Sequence, residues 1–155
     1  LSSIRHGRRC AVGMIQLPRM NRGGQPYKQA VERTRALVTE RTRYWSGVYG
    51  IPYRKIFIKK QKRRWGSASE AGNLNFNYRL GFLPPELLDY VVVHELCHLA
   101  HLNHSPAFWE LVSRAFPNPK VLDKKLNSYR FSIKEEAPRC SGAPRAVWRV
   151  VHRCR

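Results

Sequence analysis

Acidic side chains are scarce in this chain of 155 residues. Only ten Asp and Glu residues stand against 29 Lys and Arg residues, which gives a formal net charge of +19. This imbalance does not determine a fold, but it favours polyanions such as nucleic acids and nucleotides as partners. Hydrophobic residues make up 43% of the chain and aromatic residues 11%, which excludes a chain that is disordered throughout.

Cysteine is also sparse, and its spacing excludes a cysteine-based metal site. The four cysteines are Cys10, Cys97, Cys140 and Cys154, and no two of them have the C-x-x-C spacing. They do not form a disulfide framework, and such usage is typical of the reducing cytoplasm, where we expect this protein. No apolar run approaches the ~18–20 residues that span a bilayer, so we expect no membrane partner.

The basic residues are unevenly distributed and divide the chain into three parts. Residues 1–25 carry five Lys and Arg residues and no acidic residue, and residues 131–155 carry six Lys and Arg residues and two acidic ones. We expect a basic N-terminal arm and a basic C-terminal tail, both flexible. Residues 26–130 are expected to form a single domain.

Hydrophobic periodicity in the central part predicts an α+β arrangement. Apolar residues recur at helical steps from about residue 27 to 48, and Gly50 and Pro52 then end the helix. Short runs rich in β-branched and aromatic residues predict three strands, and their short connections favour an antiparallel meander. The predicted strands are 55–61, 63–69 and 74–78. The predicted later helices are about 84–102, 106–116 and 121–129.

Four of the six histidines lie between residues 94 and 104, in the sequence HELCHLAHLNH. His94 and His98 form an H-E-x-x-H motif on a predicted helix, where residues four apart share one face and both imidazoles can bind one zinc ion. Glu95 lies beside the first ligand and can reach a metal-bound water without ligating the metal. Cys97 points away from that face and is expected to be a buried structural thiol.

A third protein ligand is expected, because catalytic zinc usually has three and leaves one position for water. His101 lies about 10 Å along the helix axis from the first histidine, which is too far for three unstrained ligands of one ion. A helix end near Asn103 would turn His104 back toward the metal, so His104 is the expected third ligand. Asp89 and Glu110 remain rival ligands.

These motifs occur in a recognisable order along the chain. They are RWGSAS at 64–69, GNLNFN at 72–77, LDYVVVHELCH at 88–98, and NHS at 103–105 followed by FW at 108–109. Over about residues 27–130 the chain thereby resembles the YgjP-like metallopeptidase domain, which is related to SprT-like and other zincin peptidases.

The resemblance implies a fold and a site. The fold would be α+β and minimal zincin-like, with a small antiparallel three-stranded sheet packed against the H-E-x-x-H helix, an N-terminal helix and C-terminal helices. The site would hold Zn²⁺ on His94, His98 and His104, with Glu95 as the catalytic base. The family usually has Cys where this chain has Ala68. That position is not a metal ligand in the family, so the implied zinc site is unaffected.

The expected function is a zinc-dependent metallopeptidase that hydrolyses peptide bonds in proteins or peptides with a zinc-activated water and a glutamate general base. One alternative is a zinc-dependent hydrolase of nucleotides or other phosphoanhydrides, although the chain has no phosphate-loop glycine pattern. Another is a nucleic-acid-associated protease of the SprT-like kind. A binding module with structural zinc would prefer four protein ligands and would not need the glutamate.

Residues around the motif suggest further roles. Gly66 leaves room for a close backbone approach beside a sheet edge, where zincins bind extended substrate, or it is a bulge next to a core Trp65. A basic tract could bind nucleic acid or nucleotides weakly and non-specifically, or be an ordinary solvated strand edge. Its residues are Lys59, Lys60, Lys62, Arg63 and Arg64. The candidate oxyanion stabilisers are Tyr78, Tyr90 and Tyr129.

Overall fold

The computed structural model describes residues 24–132, with side chains described up to residue 129. The predicted basic arms, residues 1–25 and 131–155, lie outside this part except where a helix at each end runs a short way into them. Cys10, Cys140 and Cys154 also lie outside the described residues.

Four α-helices and three short strands form the described part. In chain order they are α1 (Gln25–Tyr49), β1 (Lys55–Lys59), β2 (Gly66–Ala68), β3 (Asn73–Asn77), a 3-10 helix (Tyr78–Phe82), α2 (Pro85–Ala100), α3 (Pro106–Ser113) and α4 (Pro119–Ser132). The α+β class is confirmed. The 3-10 helix is the one element that hydrophobic periodicity missed, because a single short turn carries no repeat.

The sheet is mixed, so the expected antiparallel meander is wrong. The strand order is β1-β3-β2: β1 runs parallel to β3, with Lys55 opposite Asn73, and β2 runs antiparallel to it, with Gly66 opposite Phe76. The segment of the chain that connects β1 to β2 therefore crosses the end of β3. The Asn77 side chain donates hydrogen bonds to the carbonyls of Gln61 and Arg64, both at about 2.8 Å, and so holds the crossing segment in place.

The core lies between the sheet and the helices, with α2 at its centre. Leu74 and Phe76 of β3 are fully buried and face α2, which is itself buried along most of its length. Apolar side chains of α1, α3 and α4 complete this core around α2. Burial of a large apolar side chain contributes about 1.5–3 kcal/mol. The helix that carries the H-E-x-x-H motif is therefore held by the whole domain.

Helix α1 packs through a narrower face than its apolar pattern suggests. Its buried residues are spaced by four and include Thr34 and Thr42, whereas the apolar Tyr44 and Val48 are 55% and 59% exposed. Thr34 is tolerated here because its hydroxyl donates a hydrogen bond of 2.6 Å to the carbonyl of Tyr78. The 3-10 helix is thus tied directly to α1.

Among residues 24–132, every helix is too short or too polar to cross a lipid bilayer.

A close contact between α1 and the 3-10 helix predicts a stability effect. A Cβ on Gly81 would lie 2.4 Å from Thr34 Oγ1, so Gly81→Ala is expected to destabilise the protein by about 1–3 kcal/mol. The matched control is Gly47→Ala on α1, where nothing lies within 4 Å of the added methyl group. That change is expected to stabilise by about 0.5–1 kcal/mol. Urea unfolding of both variants measures the change in the free energy of unfolding. Equal changes in the two variants would contradict a close contact at Gly81.

Candidate metal centre

Helix α2 places two histidines one turn apart at the edge of the core. It begins at Pro85, directly after the capping residue Pro84, and proline is tolerated there because the first helical N–H groups have no partner within the helix. His94 is half-buried, and His98 is 7% exposed. Because residues four apart share a helix face, both imidazoles point to the same place.

The chain then reverses and returns a third histidine. His101 has extended backbone angles and ends α2, with its N–H bonded to the carbonyl of Cys97 at 2.9 Å. Four residues later Ser105 caps α3, its hydroxyl oxygen accepting a hydrogen bond of 3.3 Å from the N–H of Phe108. His104 lies in this reversal, as its position between two helices predicted.

The three imidazoles converge on one point. One ring nitrogen each of His94, His98 and His104 lies within 4.8 Å of the others, and the Nε2 atoms of His94 and His104 are 3.2 Å apart. Tetrahedral zinc with Zn–N distances of ~2.0–2.1 Å needs ligand nitrogens roughly 3.4 Å apart. Three imidazoles that converge in this way are a donor set that fits zinc.

A hydrogen bond fixes the tautomer of His98. Its Nδ1 lies 3.1 Å from the carbonyl oxygen of His101. Since a carbonyl oxygen only accepts, Nδ1 must carry the proton, so Nε2 is the ring nitrogen that can act as a metal ligand. Such a hydrogen bond orients a metal-binding imidazole and raises its basicity. His101 thus contributes through its backbone, and its side chain is not part of the cluster.

Aromatic rings hold the histidine rings in place. Phe108 stacks on His98 with 4.5 Å between ring centroids and contacts His94 and His104 edge-on at 5.0 and 4.8 Å. Trp109 stacks on His104 at 5.5 Å. The first turn of α3 therefore limits the rotation of all three imidazoles, a function that the sequence motifs alone did not reveal.

Glu95 lies against β2, beside the histidine cluster. A Cβ on Gly66 would lie 2.7 Å from Glu95 Cγ and 2.8 Å from Oε1, so only glycine leaves room for this carboxylate. The backbone N–H of Ala68 donates a hydrogen bond to it. The sequence predicted a close approach at Gly66. The group that approaches is the glutamate side chain, not another backbone segment.

Burial raises the pKa of Glu95 to about 8, although Arg64 and the Ala68 N–H both act to lower it. Desolvation disfavours the charged carboxylate, and nearby positive charge favours it. A divalent cation at the neighbouring imidazoles would lower this pKa by the same electrostatic effect as Arg64.

The rival ligands lie elsewhere. Both carboxylate oxygens of Asp89 accept hydrogen bonds from Arg41 of α1, and Glu110 is exposed on α3. Cys97 is a buried free thiol whose pKa burial raises to about 12, in agreement with a structural role. Within the described part of the chain, His94, His98 and His104 form the one group of three or more such side chains that could hold a metal ion.

One of the three expected oxyanion stabilisers, Tyr90, packs beside the cluster, with 6.0 Å between its ring centroid and that of His94. Tyr78 is fully buried and packs against Ala30 of α1. The hydroxyl of Tyr90 donates a hydrogen bond of 2.8 Å to Asp123 of α4, and burial and this carboxylate raise its pKa. Tyr129 is half-buried on α4, against the core.

Comparison with known proteins gives a sequence family and a fold. Residues 25–129 match the family model of the YgjP-like metallopeptidase domain, close to the limits expected from the sequence motifs. The fold is similar to that of the metallopeptidase zymogen abylysin of Pyrococcus abyssi, with a TM-score of 0.55 and 23% identity over 59% of this chain and 92% of that one.

The metallopeptidase zymogen jannalysin of Methanocaldococcus jannaschii gives a TM-score of 0.53 and 22% identity over 59% of this chain and 94% of that one. At these identities the two structures support the fold alone. No curated protein matches the chain in sequence.

The cluster predicts one zinc ion per chain. Replacing His104 by Ala is expected to lower zinc affinity by at least about 100-fold, because even residues that only orient a ligand contribute ~10–100-fold. Isothermal titration with zinc measures this. His101→Ala is the matched control, since it keeps the carbonyl that orients His98, and it should bind zinc normally. Normal binding by His104→Ala with loss in His101→Ala would contradict the assignment.

Proposed function

Because the chain belongs to the YgjP-like metallopeptidase domain family, we propose that it is a zinc-dependent peptidase with its catalytic centre at His94, His98 and His104. The observation that carries the proposal is the convergence of three imidazole nitrogens within 4.8 Å beside a buried carboxylate. A structural zinc site usually has four protein ligands. Three histidines with Glu95 next to them favour a catalytic site.

In this proposal the three histidines hold zinc through one ring nitrogen each, His98 through Nε2. Bound zinc supplies a Lewis acid that polarises the scissile carbonyl and activates a water as nucleophile. The hydrogen bond from His98 to the His101 carbonyl and the stacking on Phe108 keep the ligand rings oriented. The protein thus offers a preorganised site that needs little rearrangement on metal binding.

Glu95 is the proposed general base. Its carboxylate accepts the proton of the attacking water and then delivers it to the leaving amine, so the residue must be able both to take and to release a proton near neutral pH. Two opposing influences supply this property. Burial raises its pKa, and the positive charge of Arg64 lowers it.

β2 positions this base from the other side. Gly66 supplies the space for the carboxylate, and the N–H of Ala68 fixes its direction. A misplacement of a reacting group by about 1 Å can lower the rate about 100-fold. The strand is therefore proposed as the element that sets the distance between the base and the histidines.

The same strand is proposed to bind substrate. β2 pairs with β3 on one side and is an edge of the sheet, and it lies next to Glu95. An extended peptide can add to such an edge through backbone hydrogen bonds that do not depend on side-chain identity. This mode of binding suits peptides better than nucleotides, because nucleotides have no backbone that can form a β-strand. The sheet edge thus favours peptide hydrolysis over the phosphoanhydride alternative.

Replacing the base tests the mechanism. Glu95→Gln is expected to keep zinc and the fold but to lose at least about 100-fold in hydrolysis of an unstructured protein, the usual contribution of general acid–base catalysis. Gel-based cleavage with parallel measurement of zinc content checks this. Glu110→Gln, an exposed glutamate on α3, is the matched control and should have full activity.

Nucleoside triphosphates are included as substrates in the same assay. Phosphate release that depends on Glu95, without cleavage of any protein, would replace peptide hydrolysis by the phosphoanhydride alternative. Undiminished peptide cleavage by Glu95→Gln would exclude this residue as the base.

A second variant tests the position of the base. In Gly66→Ala the added methyl group must displace the Glu95 side chain, so we expect unchanged zinc content and a loss of activity of about 100-fold, seen in kcat. Ser67→Ala on the same strand is the control and should behave like the unmodified protein. Full activity in Gly66→Ala would show that the glutamate does not act from this position.

A further inference from the structure

Within residues 24–132, one face of the sheet packs on the core, and the other is exposed. Along β1 the side chains of Lys55, Phe57 and Lys59 are exposed, while the residues between them are half-buried. In the parallel pairing with β3, Phe57 lies opposite Asn75 and Lys55 opposite Asn73. Paired residues point to the same face of a sheet, so the asparagines lie beside the aromatic ring and the lysines.

Phe57 is an unusual residue for such a surface. Its side chain is 42% exposed, and the ammonium group of Lys59 lies 5.5 Å from its ring centroid. Lys55 lies on the other side of the ring, at about 13 Å from Lys59 along the strand, given a rise of ~3.3 Å per residue. The ring is thus a flat apolar group with the Lys59 ammonium over one face and a second lysine further along the strand.

The surrounding chain is almost free of negative charge. Between residues 41 and 85 there are ten Lys and Arg residues, and Glu70 is the single acidic residue. Lys62 and Arg64, which follow β1, are also exposed. This charge favours a polyanion.

We infer that this open face, formed by Lys55, Phe57, Lys59, Asn73 and Asn75, binds single-stranded nucleic acid. Phe57 stacks on an unpaired base, the lysines contact the phosphates on either side, and the asparagine amides hydrogen-bond to base edges. Aromatic rings combined with a positively charged track are the usual means of binding single strands with little sequence preference.

The shape of the surface selects a single strand over other polyanions. A flat sheet face has no helix or ribbon to enter a duplex groove, and Phe57 can stack only on a base that is not already stacked in a helix. Insertion into an anionic membrane requires a larger apolar surface that enters between the lipids. Here one ring is surrounded by polar side chains. A single strand uses both the ring and the charges.

The inference is independent of the catalytic proposal. Gly66 and Ala68 of β2 face Glu95 and the core, whereas Ser67 lies opposite Asn75 and so shares the open face. Nucleic acid on the open face would therefore lie across the sheet from the histidines and leave them accessible. Variants of the open face are expected to keep their zinc, which separates a failure here from a failure of the metal centre.

The first test measures stacking in the full chain. Fluorescence anisotropy with a labelled oligothymidylate and an oligouridylate, at low salt, is expected to show about 5- to 100-fold weaker binding by Phe57→Ala. Phe57→Tyr should retain binding because its ring stacks equally well. Tyr44→Ala, which removes an exposed aromatic residue from α1, is the matched control and should have no effect. Zinc content and thermal unfolding confirm that each variant is folded.

The second test separates these lysines from the overall charge. In Lys55→Glu/Lys59→Glu the slope of log affinity against log salt should fall by about 1.4, at ~0.7 per phosphate on a single strand. Arg33→Glu/Arg43→Glu on α1 changes the net charge equally at two exposed positions and should leave the slope nearly unchanged.

A photochemical experiment locates the site directly. Cross-linking to an oligonucleotide that contains 5-iodouracil, with the site mapped by mass spectrometry, is expected to modify Phe57. Cross-links found only outside residues 55–75 would overturn the inference. Unchanged affinity of Phe57→Ala for the oligonucleotides, or equal salt slopes in the two charge variants, would also overturn it. The same holds for equal binding to a duplex of the same length, and for equally tight, Phe57-dependent binding to polyglutamate or phosphatidylserine vesicles.

Discussion

The burial of α2 is the constraint on which the rest of the structure depends. A helix enclosed on nearly every side must still carry polar groups, and each of these needs a partner inside the protein. Asp89 is bound by Arg41 of α1, Glu95 by the N–H of Ala68, and His98 by the carbonyl of His101. These partners come from α1, from the sheet and from the chain reversal after α2. The helix is thereby fixed in rotation as well as in position, which is what a metal centre on one of its faces requires.

The sheet has two faces with different chemistry. Its inner face is apolar and supports α2, and the edge at Gly66 accommodates the side chain of Glu95. Its outer face carries lysine, asparagine and one phenylalanine. Because successive side chains of a strand point to opposite faces, each strand residue of this sheet belongs to one of these two faces. The domain can therefore combine the proposed catalytic centre with the proposed polyanion surface without additional elements.

The sequence predicted those parts of the structure that depend on local spacing. The turn of a helix relates His94 to His98, and the helix break before Ser105 returns His104, so the cluster could be inferred from residue intervals. The strand order could not be inferred from such intervals. It depends on the hydrogen bonds that Asn77 donates to the distant segment after β1, and no pattern within one strand encodes them. The same holds for the contact between Gly66 and Glu95, which joins residues far apart in the chain, and for the packing of Phe108 on all three imidazoles.

The shortness of β2 has a kinetic consequence if this strand binds substrate as proposed. A strand of three residues offers an incoming chain only a few backbone hydrogen bonds, each with a net contribution of about 1 kcal/mol. A peptide bound by so few bonds dissociates quickly, because differences in affinity between related complexes arise mainly in the dissociation rate. A long flat edge would retain cleaved fragments and would also recruit other copies of the chain into aggregates. A minimal edge favours rapid release of products, and it leaves discrimination between substrates to contacts outside the strand.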